Sequence, residues 1–184
     1  MQGDRTIEGV LLSAEQIAIR VRELGAQITA DYKPLVDWTA PQPNIMAVGI
    51  LKGVVPFYAD LVRAIDLPIA FDFMAVSSYG AATATSGTVR ILKDLDKAAE
   101  DRHLLVVEDI VDTGLTLSYL KENLLRRNPL SLKIVTLLNK PERRKTSITP
   151  DYNGFEIPDV FVVGYGLDCG ENYRNLPYIG IIRT

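Results

Sequence analysis

Residues 104–117 read LLVVEDIVDTGLTL, and no other stretch restricts the possible folds so strongly. Four apolar residues open it, two of them β-branched, as in a strand buried on both faces of a parallel sheet. Glu108 and Asp109 follow at once, placed where such a strand ends. After two more apolar residues come Asp112, Thr113 and Gly114, and then LTLSYLKENLLRR takes up helical spacing. Strand, acidic pair, small-residue turn and helix thus fall within one βα unit, which points to an α/β fold with a mainly parallel sheet.

The chemistry of that unit is specific. A helix N-terminus leaves backbone N–H groups unpaired and carries partial positive charge, so an anion such as phosphate fits there. Thr113, Gly114 and Thr116 are small or hydroxylated and let a phosphate approach the amides. Adjacent carboxylates repel unless they accept hydroxyl protons or face a divalent cation. A loop that offers amides to phosphate and carboxylates to hydroxyls is suited to a sugar phosphate, and Asp112 stands between the two. The competing reading is an acidic strand end followed by a helix cap at Asp112 or Thr113.

The rest of the chain supplies similar units. Ser13, with Gln16 three residues on, is a capping-box pattern, and Ile17, Val21, Leu24 and Ile28 recur at helical spacing over residues 14–30. Residues 44–50, NIMAVGI, read as a second buried strand. Leu51-Lys52-Gly53 follows and then a helix, so Lys52 and Gly53 stand at a strand's carboxyl end, where α/β proteins build their sites. Residues 67–76 form a third strand. The next eleven residues, SSYGAATATSG, are small and polar and longer than a turn requires, which suggests a lid. Residues 88–92 return as a strand, and residues 93–102 lead as a hairpin or turn to His103, expected to be structural. Residues 131–138, SLKIVTLL, are another buried strand ending near Lys140, where an ammonium could donate to a carbonyl oxygen. The basic run Arg143, Arg144 and Lys145 reads as a solvated face. Residues 152–154 read as a turn and residues 157–163 as a final strand. Gly164, Gly166 and Gly170 do not fit a dinucleotide fingerprint, because the third is one place too far.

The run VVEDIVDTGLT resembles the phosphoribosyl-diphosphate motif of type I phosphoribosyltransferases. With the remaining segments, the resemblance covers the chain from Val10 onward and is strongest to the hypoxanthine and hypoxanthine-guanine members. It implies a type I phosphoribosyltransferase fold: a twisted, mainly parallel sheet flanked by helices, in a single domain, with a small hood from the N- and C-terminal segments. It implies transfer of a 5-phosphoribosyl group to a 6-oxopurine in purine salvage. Phosphoribosyl diphosphate is expected on Lys52, Gly53, Ser78, Tyr79, Glu108, Asp109, Asp112, Thr113, Gly114, Leu115, Thr116 and Arg174, with Ser78 and Tyr79 in a loop that closes during reaction. Asp112 is expected to be catalytic. Lys140 would contact the purine 6-oxo group, Phe161 stack on the ring, Val162 offer backbone to the base edge, and Asp168 complete the purine end. Mg2+ is expected on Glu108, Asp109 and Asp168. Two positions depart from the family pattern. Leu115 stands where some members carry lysine, and Cys169 stands where an aromatic residue is common.

Composition limits the alternatives. The chain has 184 residues, 47% hydrophobic and 23% charged, with formal net charge −3. That size suits one full core, and that charge gives nucleic acid no electrostatic hold. This weighs against an RNA-binding regulator of the same fold, while a xanthine-preferring transferase stays open. One cysteine and one histidine leave neither an internal disulfide nor a usual zinc ligand set. No secretion signal or membrane-length apolar run is present, so the expected setting is cytoplasmic, without a membrane partner. Relatives suggest a homodimer or homotetramer.

Overall fold

The computed structural model describes residues 6–78 and 89–183. Its main sheet has six strands: β2 (Ile45–Leu51), β3 (Ala70–Ser78), β4 (Val89–Lys93), β5 (His103–Val111), β6 (Ser131–Asn139) and β7 (Tyr152–Glu156). Their order is β4-β3-β2-β5-β6-β7. All neighbours are parallel except β4, which runs antiparallel to β3. A second, antiparallel sheet joins β1 (Ile7–Leu12), β9 (Ile179–Ile182) and β8 (Val162–Val163), in the order β1-β9-β8. It joins the first and the last strands of the described residues.

Three helices cover the main sheet. Helix α1 (Ala14–Tyr32) begins with the reciprocal box: the Gln16 amide donates to Ser13 Oγ at 3.2 Å and the Ser13 amide to Gln16 Oε1 at 2.8 Å. Such a cap contributes about 1 kcal/mol. Helix α2 (Val55–Ala64) packs beside α1, and α3 (Leu115–Leu125) lies on the opposite face. The period-2 alternation of strands decides which residues meet which helix. In β2, Ile45 and Ala47 join the α1/α2 core, whereas Met46 and Val48 join the α3 core. In β5, Leu105 and Val107 take the first side and Leu104 and Val106 the second. All four of these β5 side chains are buried, and each contributes roughly 1.5–3 kcal/mol.

Three expectations are corrected. β5 does not stop before the acidic pair but continues through Glu108 and Asp109 to Val111, because β6 keeps pairing with it as far as Asn139. Residues 152–154 are not a turn; they open β7, which pairs in parallel with β6. Tyr152 buries its ring there, and Arg20 holds the carbonyls of Asn153 and Gly154 at 2.7 and 2.9 Å. Gly154 serves close approach, since a Cβ on it would lie 2.3 Å from the Leu137 carbonyl oxygen. Conversely, only Val162 and Val163 of the 157–163 run are strand. His103 sits at the amino end of β5, away from the strand ends that carry the motif, with Nδ1 2.8 Å from Ser131 Oγ. No helix among the described residues is long and apolar enough to cross a membrane.

Candidate active site

The chain leaves β2 for β3 on one side, then returns to lay β5 on the other. This is a topological switch point, and the crevice beyond the carboxyl ends of β2 and β5 is where such sheets bind ligands. Leu51-Lys52-Gly53 emerges from β2 with a cis Leu51–Lys52 peptide. The acidic pair and the Asp112–Thr116 loop lie at the end of β5. Gly53 brings the two together. A Cβ placed on it would lie 1.7 Å from Asp109 Oδ2, and a Cβ on Gly166 would lie 1.8 Å from the Gly53 carbonyl oxygen. The β2 loop, Asp109 and the 164–166 segment are therefore joined with no space for side chains between them.

A cavity of about 190 Å³ lies beside this junction, lined by Glu108, Asp112, Thr113, Gly114, Thr116 and residues of β2, β3 and α3. Gly114 caps α3 with φ +80°, and no side chain caps that end. Gly114, not Asp112 or Thr113, is therefore the cap residue; the Leu115 amide meets Thr113 Oγ1 at 3.5 Å, and the first amides of α3 lack the internal partners that later turns have. The loop is braced from below: the Lys145 amide donates to the Thr113 carbonyl at 2.9 Å. A Cβ on Gly114 would lie 2.6 Å from Thr146 Oγ1 and 2.7 Å from Ile148 Cγ2. Thr116 is partly exposed and Leu115 is exposed, so neither closes the mouth with core packing.

The acids behind the loop are electrostatically uncomfortable. Glu108 lines the cavity, while Asp109 faces Gly53 and accepts the Ile110 amide at 2.7 Å. Burial, then the neighbouring Asp109, pushes Glu108 well above the usual carboxyl range. Burial raises Asp109 from 3.8 to about 6, opposed by its hydrogen bonds and by the Arg174 charge. An acid whose pKa rises on folding binds its proton more tightly in the folded state. The stability linked to Asp109 is therefore full below its ordinary 3.8 and lost as pH rises through about 6. The same sign holds for Glu108, and replacing it removes its share of this penalty. The melting temperature of Glu108→Gln, relative to wild type, is expected to climb between about pH 4 and pH 7; parallel melting curves across that range check it.

The end of β6 supplies a different group. Lys140 is buried, and its Nζ donates to the Val160 carbonyl at 2.7 Å and lies 3.7 Å from Asp159 Oδ1. Arg143 bridges Asp159 to the motif: Nη1 is 3.2 Å from Asp159 Oδ2, and Nε is 2.7 Å from Asp112 Oδ1. A ladder of alternating charge thus runs from Asp112 to Lys140. Arg144 is half-buried and bonded to Asn139, and a methyl on Gly114 would approach its Cδ to 3.1 Å. The basic run is thus largely exposed, as expected, with Arg144 alone partly buried. Arg143 nevertheless pairs at the surface with Asp112 and Asp159, while Arg144 reaches Asn139. Phe161 is 43% exposed, enough to offer a ring face, while Val162 is buried. Val162 belongs to β8, an edge strand of its sheet, so one row of its backbone groups faces away from β9.

Asp168 and Arg174 are brought together: Arg174 Nη2 is 2.8 Å from Asp168 Oδ1, and Asp168 Oδ2 accepts the Glu171 amide at 2.8 Å. Those partners draw Asp168 to its own loop. Among the described residues, no group of three or more acidic, histidine or cysteine side chains is arranged to hold a metal, so the expected trio Glu108, Asp109 and Asp168 does not form a protein-only cage. Mg2+ commonly keeps several waters and takes only one or two carboxylates besides substrate oxygens. The strained Glu108–Asp109 pair offers the oxygen chemistry that such a cation takes.

Ser78 ends β3, its backbone opposite Val89, but Tyr79 and the rest of the loop through residue 88 lie outside the described residues. Sequence reasoning passed over Arg143, Asp159 and Glu171. Their partners are distant in the chain, and only the position of Arg143 just beyond a strand's carboxyl end hinted at a role.

Comparison with known proteins agrees with this geometry. A family model described as a phosphoribosyl transferase domain matches residues 9–169. The chain is 54% identical over 177 residues to the hypoxanthine-guanine phosphoribosyltransferase of Bacillus subtilis, covering 96% of this chain and 94% of that one. It is 53% identical to the enzyme of the same name from Mycobacterium bovis, covering 96% and 86%. Among solved structures, a Staphylococcus aureus hypoxanthine phosphoribosyltransferase superposes with TM-score 0.87 at 48% identity, covering 96% and 92%. A Trypanosoma cruzi hypoxanthine phosphoribosyltransferase in a ternary substrates complex gives 0.89 at 41% identity, covering 96% of each chain. Sheet order, switch-point loops and near full-length similarity converge, and the chain belongs to the phosphoribosyltransferase family.

Proposed function

We propose that this enzyme transfers the 5-phosphoribosyl group of phosphoribosyl diphosphate to a 6-oxopurine, hypoxanthine or guanine, giving IMP or GMP and diphosphate in purine salvage. The observation that carries this reading is the cavity at the end of β5: one wall is the open helix N-terminus at Gly114, and Asp112 links that wall through Arg143 and Asp159 to Lys140. The names of the relatives supply the base class.

In this reading the 5-phosphate lies on the amides of Asp112 to Thr116, where unpaired N–H groups and the helix dipole favour an anion. Glu108 and Asp109 accept the ribose hydroxyls. Lys52, Gly53 and Arg174 receive the diphosphate; the guanidinium fork suits phosphate oxygens. Ser78, at the end of β3, and Tyr79 contact the same substrate. Lys140 donates to the 6-oxo group, Phe161 stacks on the ring and Val162 offers its backbone edge. Purine N9 bonds to the ribose C1, the C1–O bond to diphosphate breaks, and Asp112 accepts the N7 proton. Glu108 and Asp109 stabilise the positive charge that develops on the sugar. Glu108 and Asp109, with substrate oxygens and with Asp168 through water, would hold Mg2+, which would supply positive charge against the diphosphate.

The test is incubation with phosphoribosyl diphosphate, Mg2+ and each of hypoxanthine, guanine, xanthine and adenine in turn. IMP and GMP formation is expected. Turnover only with xanthine or adenine, or with none, would overturn the assignment. We also read the chain as a single-domain cytoplasmic homo-oligomer, dimeric or tetrameric, which light scattering on the purified protein checks.

A further inference from the structure

Glu171 has no part in the reaction described above, yet it occupies the centre of the cations assigned to the diphosphate. Its Oε2 is 3.3 Å from Lys52 Nζ, and its Oε1 is 3.1 Å from Arg174 Nη2. Lys52 follows β2 and Arg174 lies in the loop before β9, and this single carboxylate spans them. The placement is enforced from the backbone. Glu171 adopts φ +67°, a region non-glycine residues seldom enter, and its amide donates to Asp168 Oδ2 at 2.8 Å. Gly170 before it has φ +62° and Tyr173 after it has φ +76°. Arg174 is itself locked, because Nη1 donates to the Gly166 carbonyl at 2.8 Å and Nη2 meets Asp168. The loop therefore holds a carboxylate against the same two cations that a diphosphate oxygen would take.

From this we infer that Glu171 is a built-in competitor of the diphosphate group. Without substrate it neutralises Lys52 and Arg174 and keeps the two segments that carry them in register. Phosphoribosyl diphosphate must displace it to bind, and it returns as diphosphate leaves. Two like charges cannot share that pair of cations without repulsion, so Glu171 weakens both substrate and product binding. The cost to affinity is offset by faster product release, a step that often limits turnover. The inference rests on the assignment of Lys52 and Arg174 to the diphosphate.

Glu171→Gln keeps the side-chain shape and removes the charge. We expect the KM for phosphoribosyl diphosphate and the inhibition constant of inorganic diphosphate both to fall about three- to tenfold, as expected for the loss of two exposed ion pairs, while the KM for hypoxanthine is unchanged. Glu171→Ala, which removes the contact outright, should behave alike. Glu171→Asp, which keeps the charge, should restore much of the weaker binding. Unchanged or weaker diphosphate binding in both Gln and Ala variants overturns the proposal. Arg174→Gln separates the two layers of the argument. If it weakens diphosphate inhibition while Glu171→Gln does not strengthen it, the competitor role alone fails. If neither substitution alters diphosphate inhibition, the diphosphate site itself is misassigned and the competitor role falls with it.

Discussion

Replacing Asp112 with asparagine is expected to lower kcat by about 10²–10⁴-fold, the usual value of one positioned acid or base. The equilibrium affinity for phosphoribosyl diphosphate should hardly change. The split follows from where Asp112 stands. Its backbone belongs to the loop proposed to bind the phosphate, which asparagine leaves intact, whereas its carboxylate, 2.7 Å from Arg143 Nε, is the group proposed to face the base. Asparagine also fills nearly the same volume, so the Arg143–Asp159 contact loses only one of its anchors. Steady-state kinetics alongside direct binding of the diphosphate sugar separate the two effects. Wild-type turnover in the variant would remove Asp112 from the mechanism, whereas lost sugar affinity with preserved kcat would make it a binding residue.

The second large effect is structural in origin. Gly114→Ala meets two penalties at once. A non-glycine residue at φ +80° is strained, and the added methyl would come within 2.6 Å of Thr146 Oγ1 and 2.7 Å of Ile148 Cγ2. Together these should cost about 2–4 kcal/mol, or roughly 5–15 °C in melting temperature for a chain of this size. Because the strain falls at the first turn of α3, it should also rotate the amides away from the phosphate. The KM for phosphoribosyl diphosphate is expected to rise about tenfold or more, since about 1.4 kcal/mol of lost binding suffices for a factor of ten. Thermal melts and initial-rate kinetics on one preparation measure both. A variant that melts like wild type and binds the substrate normally would show that neither the backbone angle nor the close packing matters.

Much of the site was legible because its signals are local. In residues 104–117 the apolar and polar positions fall in an order that only a strand, turn and helix satisfy, and the structure places β5, the Asp112–Gly114 turn and α3 in that order. The Ser13 and Gln16 box was readable for the same reason, since both partners lie within one helical turn. What escaped notice depends on distant partners. Tyr152 to Gly154 carry turn-like residues, and only the open edge of β6 and the Arg20 clamp, more than 130 positions away, make them a strand. Arg143 is exposed as expected, but its pairing with Asp112 is invisible because Asp112 lies 31 positions earlier in the chain. Glu171 looked like a loop residue because Lys52 is 119 positions away. The end of the strand was misplaced. The pairing partner that extends β5 to Val111 is on β6 and leaves no mark in the β5 sequence.

The most direct test of the account is a crystal structure of the protein soaked with ribose 5-phosphate. The phosphate should appear at the mouth of α3, within hydrogen-bonding distance of amides between Asp112 and Thr116, with the ribose hydroxyls turned toward Glu108 and Asp109. A sugar phosphate bound elsewhere, with that crevice empty, would contradict it.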